Sequence, residues 1–174
     1  MQVSFKFLNT LASSSTIADS GARIDGVYFD DGTLLGIASI VEGPGVQFSQ
    51  GATPSNLSGG NQLSPPFVTT ADFSADADSG AKNGVHVGEF VEVIFDLKSG
   101  QQYADVLNAL NLGGATGGLR IGIKAQGFSG GGSETFVNGG GGGNPPVIPL
   151  PASVWGGLAL LGAVGAFKVR ARKA

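Results

Sequence analysis

The stretch EFVEVIFDL, residues 89–97, decides the fold. Val91, Val93, Phe95 and Leu97 recur at a period of two, with Glu92 and Asp96 on the opposite side. Successive side chains of a strand point to opposite faces, so this pattern describes one buried face and one wet face. That is the signature of a strand in an antiparallel sheet laid on a core.

Working outward, the same rhythm recurs along the chain. Residues 3–8 alternate Val3, Phe5 and Phe7 against Ser4 and Lys6. Residues 23–29 and 33–40 read as two further strands. Asp30-Asp31-Gly32 lies between them and predicts a tight hairpin, because Asp-Gly suits turns that need positive φ. A short strand is expected at 46–49, another at 67–73 after Pro65-Pro66, and an acidic turn region at 74–83. Residues 119–128 alternate again, placing Leu119, Ile121, Ile123 and Ala125 inward and Arg120, Gly122, Lys124 and Gln126 outward. A last short strand is expected at 134–138. Residues 11–20 read as a polar loop. Residues 50–66 form a Gly, Ser, Pro and Asn-rich loop of a length that marks functional or mobile segments.

One segment departs from the β rhythm. In residues 101–110, Tyr103, Val106, Leu107 and Leu110 fall at i, i+3, i+4 and i+7, which predicts an amphipathic helix closed by Gly113-Gly114. Seven or eight strands with one short helix predict an all-β domain over residues 1–138, an antiparallel β-sandwich or jelly roll. Strands that do not alternate with helices exclude a parallel α/β sheet.

Composition narrows the function. Glycine accounts for 31 of 174 residues and charged residues for only 13%, against ordinary values of ~7% and ~25%. All thirteen acids lie at or before Glu134, with six basic residues, so this body carries about −7. The last four basic residues sit beyond it. An acidic body excludes nucleic acid as a partner, since phosphate recognition needs clustered Lys and Arg. Cysteine is absent, which excludes disulfides, thiolate nucleophiles and zinc–thiolate sites. Residues 1–10 lack the apolar run and A-x-A site of a signal peptide and read as a strand. Either the protein is not secreted or its true start lies upstream, and a chain that opens in a strand favours the second.

Few residues have catalytic or metal-binding character. Asp72, Asp76 and Asp78, with Asn83 and Glu89 following, offer a calcium reading beside the ordinary one of turn-forming aspartates. The Asp/Asn–Gly pair and distal Glu of a calcium loop are missing. His86 is the only histidine, and no Gly-x-Ser-x-Gly elbow occurs. Glu89, Glu92 and Asp96 could serve glycoside hydrolysis only if paired across a cleft; on a strand's wet face they are ordinary solvated acids. Catalysis is not expected, and no cofactor beyond calcium is suggested.

The C-terminal end has its own logic. Residues 139–143 are all glycine and are followed by Asn144-Pro145-Pro146, which makes 139–146 a linker. Residues 147–174 then run VIPLPASVWGGLALLGAVGAFKVRARKA. Pro149 and Pro151 hold their segment extended. An uncharged apolar run over 152–167 would span ~24 Å as a helix, short of a ~30 Å hydrocarbon core. Lys168, Arg170, Arg172 and Lys173 end it as at a cytoplasmic face. A membrane-directed hydrophobic helix is therefore expected here.

Val147, Pro149, Leu150, Pro151 and Ala152, followed by that apolar run and the basic end, resemble the PEP-CTERM protein-sorting domain, in particular its VPLPA-type variant. Ile148 stands as an insertion in the motif, and Val169 and Ala171 interrupt the basic cluster. The resemblance implies a substrate of an exosortase, a membrane cysteine transpeptidase of Gram-negative bacteria. It implies export, transient anchoring in the inner membrane, cleavage near the proline motif, and release or transfer to the cell surface among exopolysaccharide producers. The expected role is a non-catalytic surface or matrix protein of the biofilm type. The alternative is a calcium-dependent carbohydrate-binding module of the same envelope, with extracellular polysaccharide as partner.

Overall fold

The computed structural model describes residues 1–10, 21–30, 33–79, 82–128 and 132–139. The loop expected at 11–20, most of the glycine linker, the proline motif, the apolar run and the basic end lie outside the described residues. Among the described residues, no helix is long and apolar enough to cross a membrane.

Among the described residues, eight strands and one α-helix follow in chain order: β1 (Gln2–Leu8), β2 (Arg23–Asp30), β3 (Leu34–Glu42), β4 (Phe48–Gln50), β5 (Ser74–Ala77), β6 (Phe90–Leu97), α1 (Tyr103–Leu112), β7 (Arg120–Gln126) and β8 (Ser133–Val137). They make two antiparallel sheets. One has the order β1-β6-β3 and the other β4-β5-β2-β7-β8.

The stretch at 89–97 is the central strand of the smaller sheet, as its clean alternation requires. Val91, Val93, Phe95 and Leu97 are buried, and Asp96 is exposed. Phe5 and Ile40 flank Val93 in register, and Val3 and Ile37 flank Phe95. Across the core, Phe29 of β2 meets Phe95 with ring centroids 4.6 Å apart at 65°. Phe5 tilts against Phe29 at 5.1 Å, and Phe73 stacks on Phe95 at 6.2 Å. Edge-to-face and offset pairs of this kind add ~0.5–1.5 kcal/mol each beyond the area they bury. Both sheets thus contribute to one apolar cluster, joined by Val106, Ala109 and Leu119.

The structure corrects several expectations. Asp30-Asp31-Gly32 does not close a hairpin. Both edges of β2 are already taken, by β5 and β7, while β3 pairs with β6 in the other sheet. The connection crosses between sheets. The strand expected at 67–73 is instead irregular chain ending in a 3₁₀ turn, Ala71–Phe73, and the strand begins at Ser74, inside the expected turn region. Ser74 is fully buried and pairs with Tyr28. Small and acidic residues obscure this strand because its outward face is covered by protein.

The helix is present, but its buried stripe is displaced. Val106 and Ala109 are buried, with Leu110 packed beside them, while Tyr103 and Leu107 remain 59% and 43% exposed. The first turn is closed by the Gln102 amide donating to Asp105 Oδ2 at 2.7 Å. Gly113 ends the helix, its amide donating to Ala109 at 3.1 Å.

The largest correction concerns residues 50–66. This loop lies over the outer face of the five-stranded sheet. Leu57 and Phe67 are buried with Ala52 and Tyr28 in a second apolar cluster, flanked by Leu63 and Val137. Tyr28 is 1% exposed although it faces away from the main core. Gly122 makes the fit: a Cβ there would stand 2.6 Å from Leu57 Cδ2. Gly122 of β7, read from sequence as outward, is therefore roofed, as is Tyr28 of β2.

Candidate functional site

The acids singled out from sequence do not converge. Asp72 sits in the 3₁₀ turn, Asp76 within β5 and Asp78 just after it. Asp72 Oδ1 accepts from Gln50 Nε2 at 3.2 Å, and Asp76 Oδ2 accepts from the Thr53 amide at 2.9 Å. These bonds hold the start of the roof against the sheet. Among the described residues, no group of three or more His, Cys, Asp or Glu could hold a metal ion. Glu92 and Asp96 share the wet face of β6, where Glu92 lies opposite Lys6 and Asp96 accepts from Gln2 Nε2 at 3.1 Å. Lys6 also places its ammonium 3.9 Å above the Phe90 ring. Glu89 turns back on its own loop, taking the His86 amide at 2.8 Å. No facing pair of acids results. The motif residues Val147, Pro149, Leu150, Pro151 and Ala152 and the basic residues Lys168, Arg170, Arg172 and Lys173 lie outside the described residues.

Elsewhere among the described residues, two clusters form around a buried charged side chain, Asp25 and Arg120. At the start of β2 the ladder with β7 slips by one residue, so that Asp25 is extra between Ile24 and Gly26. A bulge of this kind leaves its extra residue unpaired and re-aims its side chain. Asp25 is 6% exposed and forms an ion pair with Arg23 Nε at 2.9 Å. Gln126, its amide oriented by the surrounding network, donates to Asp25 Oδ2 at 2.8 Å and accepts from Lys124 Nζ at 3.0 Å. Burial pushes the Asp25 carboxyl above its usual range, against the pull of Arg23, Lys124 and His86. Nearby, burial with help from Asp76 pushes the Tyr28 phenol up to about 12. Both groups serve the packing of β2.

The second group builds a cleft. Asp30 and Arg120 are direct partners at the end of the β2–β7 ladder and form an ion pair there. Arg120 is 8% exposed. Its Nη1 donates to the Pro65 carbonyl at 2.7 Å, and its Nη2 donates to the Pro66 carbonyl at 2.6 Å and to Asp30. The guanidinium carbon stands 5.3 Å from the centre of the Phe67 ring. One planar fork thus ties both strands to the end of the roof, a task that suits arginine and not lysine.

Beside this pair opens a cleft of ≈ 250 Å³. Asp30 and Arg120 form its floor, Pro65 and Pro66 one wall, and the turn after α1 the other, through Gly113, Gly114, Ala115, Gly117 and Gly118. That turn is compact. Ala115 donates to Leu112 at 3.1 Å, Gly118 to Ala115 at 2.9 Å, and Leu119 to Ala109 at 2.8 Å. Gly117 takes φ +78°, which only glycine adopts cheaply. The lining presents backbone, two prolines and two paired charges.

Sequence reading missed this site. The alternation of residues 119–128 places Arg120 outward, and Asp30-Asp31-Gly32 reads as a hairpin turn. The available signal was Leu57, Leu63 and Phe67, apolar residues in and after a loop otherwise made of turn formers. They mark a segment with something to bury. No protein-family model, no curated protein and no solved structure matches the chain.

Proposed function

We propose that the chain is an exported surface or extracellular-matrix protein whose C-terminal end is a PEP-CTERM-like sorting signal, and that its β-sandwich body has a structural or binding role without catalysis. The observation that carries this reading is the order of three elements in residues 147–174: the proline motif with Pro149 and Pro151, the uncharged apolar run, and the terminal basic residues. An apolar run too short to be a comfortable permanent anchor, behind a glycine tether, suits a segment that is held briefly and then removed. In this reading the proline motif, whose two prolines favour extended backbone, is the segment an exosortase-type enzyme grips.

The body supports the same reading. It is acidic, cysteine-free and glycine-rich, and Glu92 and Asp96 lie on a wet face beside Lys6 and Gln2 rather than across a cleft. The calcium variant of a binding module is not carried forward, because Asp72 and Asp76 spend carboxylate oxygens on Gln50 and Thr53.

The test is expression in a Gram-negative host with and without its exosortase, followed by intact-mass measurement of the surface and medium fractions. The expected product lacks Lys173 and Ala174 in the first host. In the second, the uncut chain stays in the inner membrane. Surface or medium protein that retains Ala174 in the exosortase-positive host overturns the proposal. The double variant Pro149→Ala, Pro151→Ala is expected to remain uncut.

A further inference from the structure

We infer that the cleft between the Arg120–Asp30 pair and the turn at 113–118 binds a neutral, hydroxyl-rich ligand, a single sugar residue of a polysaccharide or glycan, without a metal ion. The inference concerns the folded body and does not depend on how the C-terminal end is processed.

Charge selects the class. An anion would approach Arg120, but that guanidinium already faces the Asp30 carboxylate and donates to the Pro65 and Pro66 carbonyls. An added carboxylate or phosphate would have to displace them and would meet Asp30 as a like charge. A cation would approach Asp30 and meet Arg120. The floor is neutral as a pair, yet strongly polar. The wall at 113–118 follows the C-terminal end of α1, where the helix dipole is negative and favours donors such as hydroxyl groups over oxyanions. A ligand with many neutral donors and acceptors is what remains.

Shape agrees. Known small-molecule pockets run to about 300–1,000 Å³; at ≈ 250 Å³ this cleft has room for one sugar ring and none for a long apolar ligand. Pro65 and Pro66 add apolar C–H surface to the lining, with Pro65 Cδ 3.3 Å from where a Cβ on Gly114 would stand. The glycines opposite let the ligand reach main-chain groups. Gly114 and Gly117, whose amides have no backbone acceptor among the described residues, are both part of the lining. The floor is also preorganised. Arg120 is held by two carbonyls, a carboxylate and an aromatic ring, so ligand binding need not order it.

The experiment is an amide-resolved NMR titration of the full-length chain with methyl glycosides of glucose, galactose, mannose and N-acetylglucosamine, in buffer containing a calcium chelator. Sodium phosphate and acetate serve as the anionic probes. The expected result is saturable shifts of the 113–118 amides with at least one glycoside, with Kd on the order of 1 mM. Ala115→Trp is expected to block the cleft and weaken that binding by ~10-fold or more, while leaving the amides of β6 unmoved. Arg120→Lys is a second probe, but it risks unfolding the roof; Ala115 is exposed and carries no such risk. Saturable shifts with phosphate or acetate but none with the glycosides overturn the inference. So do glycoside shifts that Ala115→Trp leaves unchanged, and so does the absence of shifts with every glycoside in a folded chain.

Discussion

If residues 50–66 roof the large sheet, truncating Leu57 must cost as much as a core truncation. Leu57 is 2% exposed and lies over Gly122, beside Tyr28 and Phe67. Leu57→Ala removes three carbons, or about 2.4 kcal/mol of transfer energy at ~0.8 kcal/mol each. The void adds to this, although a cluster near the surface collapses more readily than a deep one, so ~3 kcal/mol is expected. Gly122→Ala supplies the second arm. Gly122 sits in ordinary extended backbone of β7, where alanine by itself gains ~0.5–1 kcal/mol over glycine. Its Cβ would stand 2.6 Å from Leu57 Cδ2, the far end of a flexible side chain. Overpacking then costs about 1–3 kcal/mol, at the lower end because the leucine can turn aside. Gly122→Ala should therefore cost the parent no more than ~0.5 kcal/mol, and should stabilise the Leu57→Ala variant by ~0.5–1 kcal/mol once the overpacking is relieved. The assay is urea unfolding of the four chains, read as midpoint shifts at constant slope. A Leu57→Ala cost below ~0.5 kcal/mol, or additive effects of the two changes, would refute the docked roof.

Three further outcomes follow from the buried polar groups. The Asp25 carboxyl is raised above its ordinary 3.8 by burial, so its ionisation opposes folding. Stability relative to Asp25→Asn should be greatest below pH ~3.8 and decline as pH rises through the folded value; a flat difference across that window in a pH series of urea midpoints would contradict the burial of Asp25. The Tyr28 phenol, raised to about 12, stabilises the fold below pH ~10 and loses that contribution between there and ~12. An alkaline ultraviolet titration should show a late-ionising tyrosine that disappears in Tyr28→Phe. Arg120→Lys keeps the charge but loses the fork to Pro65, Pro66 and Asp30; a loss of ~2–3 kcal/mol in thermal or urea unfolding is expected, since bonds to a charged donor are worth ~1.5–3 kcal/mol.

The legible parts of the fold were those governed by short-range periodicity. EFVEVIFDL is the centre of a three-stranded sheet with one wet face, so its alternation is undisturbed. The β7 pattern was read correctly as a strand but wrongly as wet on one side, because alternation reports side-chain direction and cannot report what lies above it. The helix was legible in position and misread in its buried face: Tyr103 and Leu107 match the stripe, yet the chain docks the helix through Val106 and Ala109. Small residues such as Ala109 carry little hydropathy signal but permit the closest approach. The strand at Ser74–Ala77 was hidden for a related reason, since Ser74 and Asp76 satisfy partners in a roof that has no local signature.

By itself the sequence determined an antiparallel β body, one helix, an acidic balance without cysteine, and the three-part order of residues 147–174 on which the proposed sorting role rests. These are properties of neighbouring residues, readable at spacings of two to four. The tertiary structure alone decided that Asp30 and Arg120 meet, that Pro65 and Pro66 join them, and that the turn at 113–118 closes the other side. Asp30, Pro65-Pro66 and Arg120 are separated by dozens of residues, and Asp30 and Arg120 meet only because β2 and β7 are neighbours in one sheet while the chain between them passes through the other. Sheet order is a long-range outcome of packing, and no local pattern encodes it.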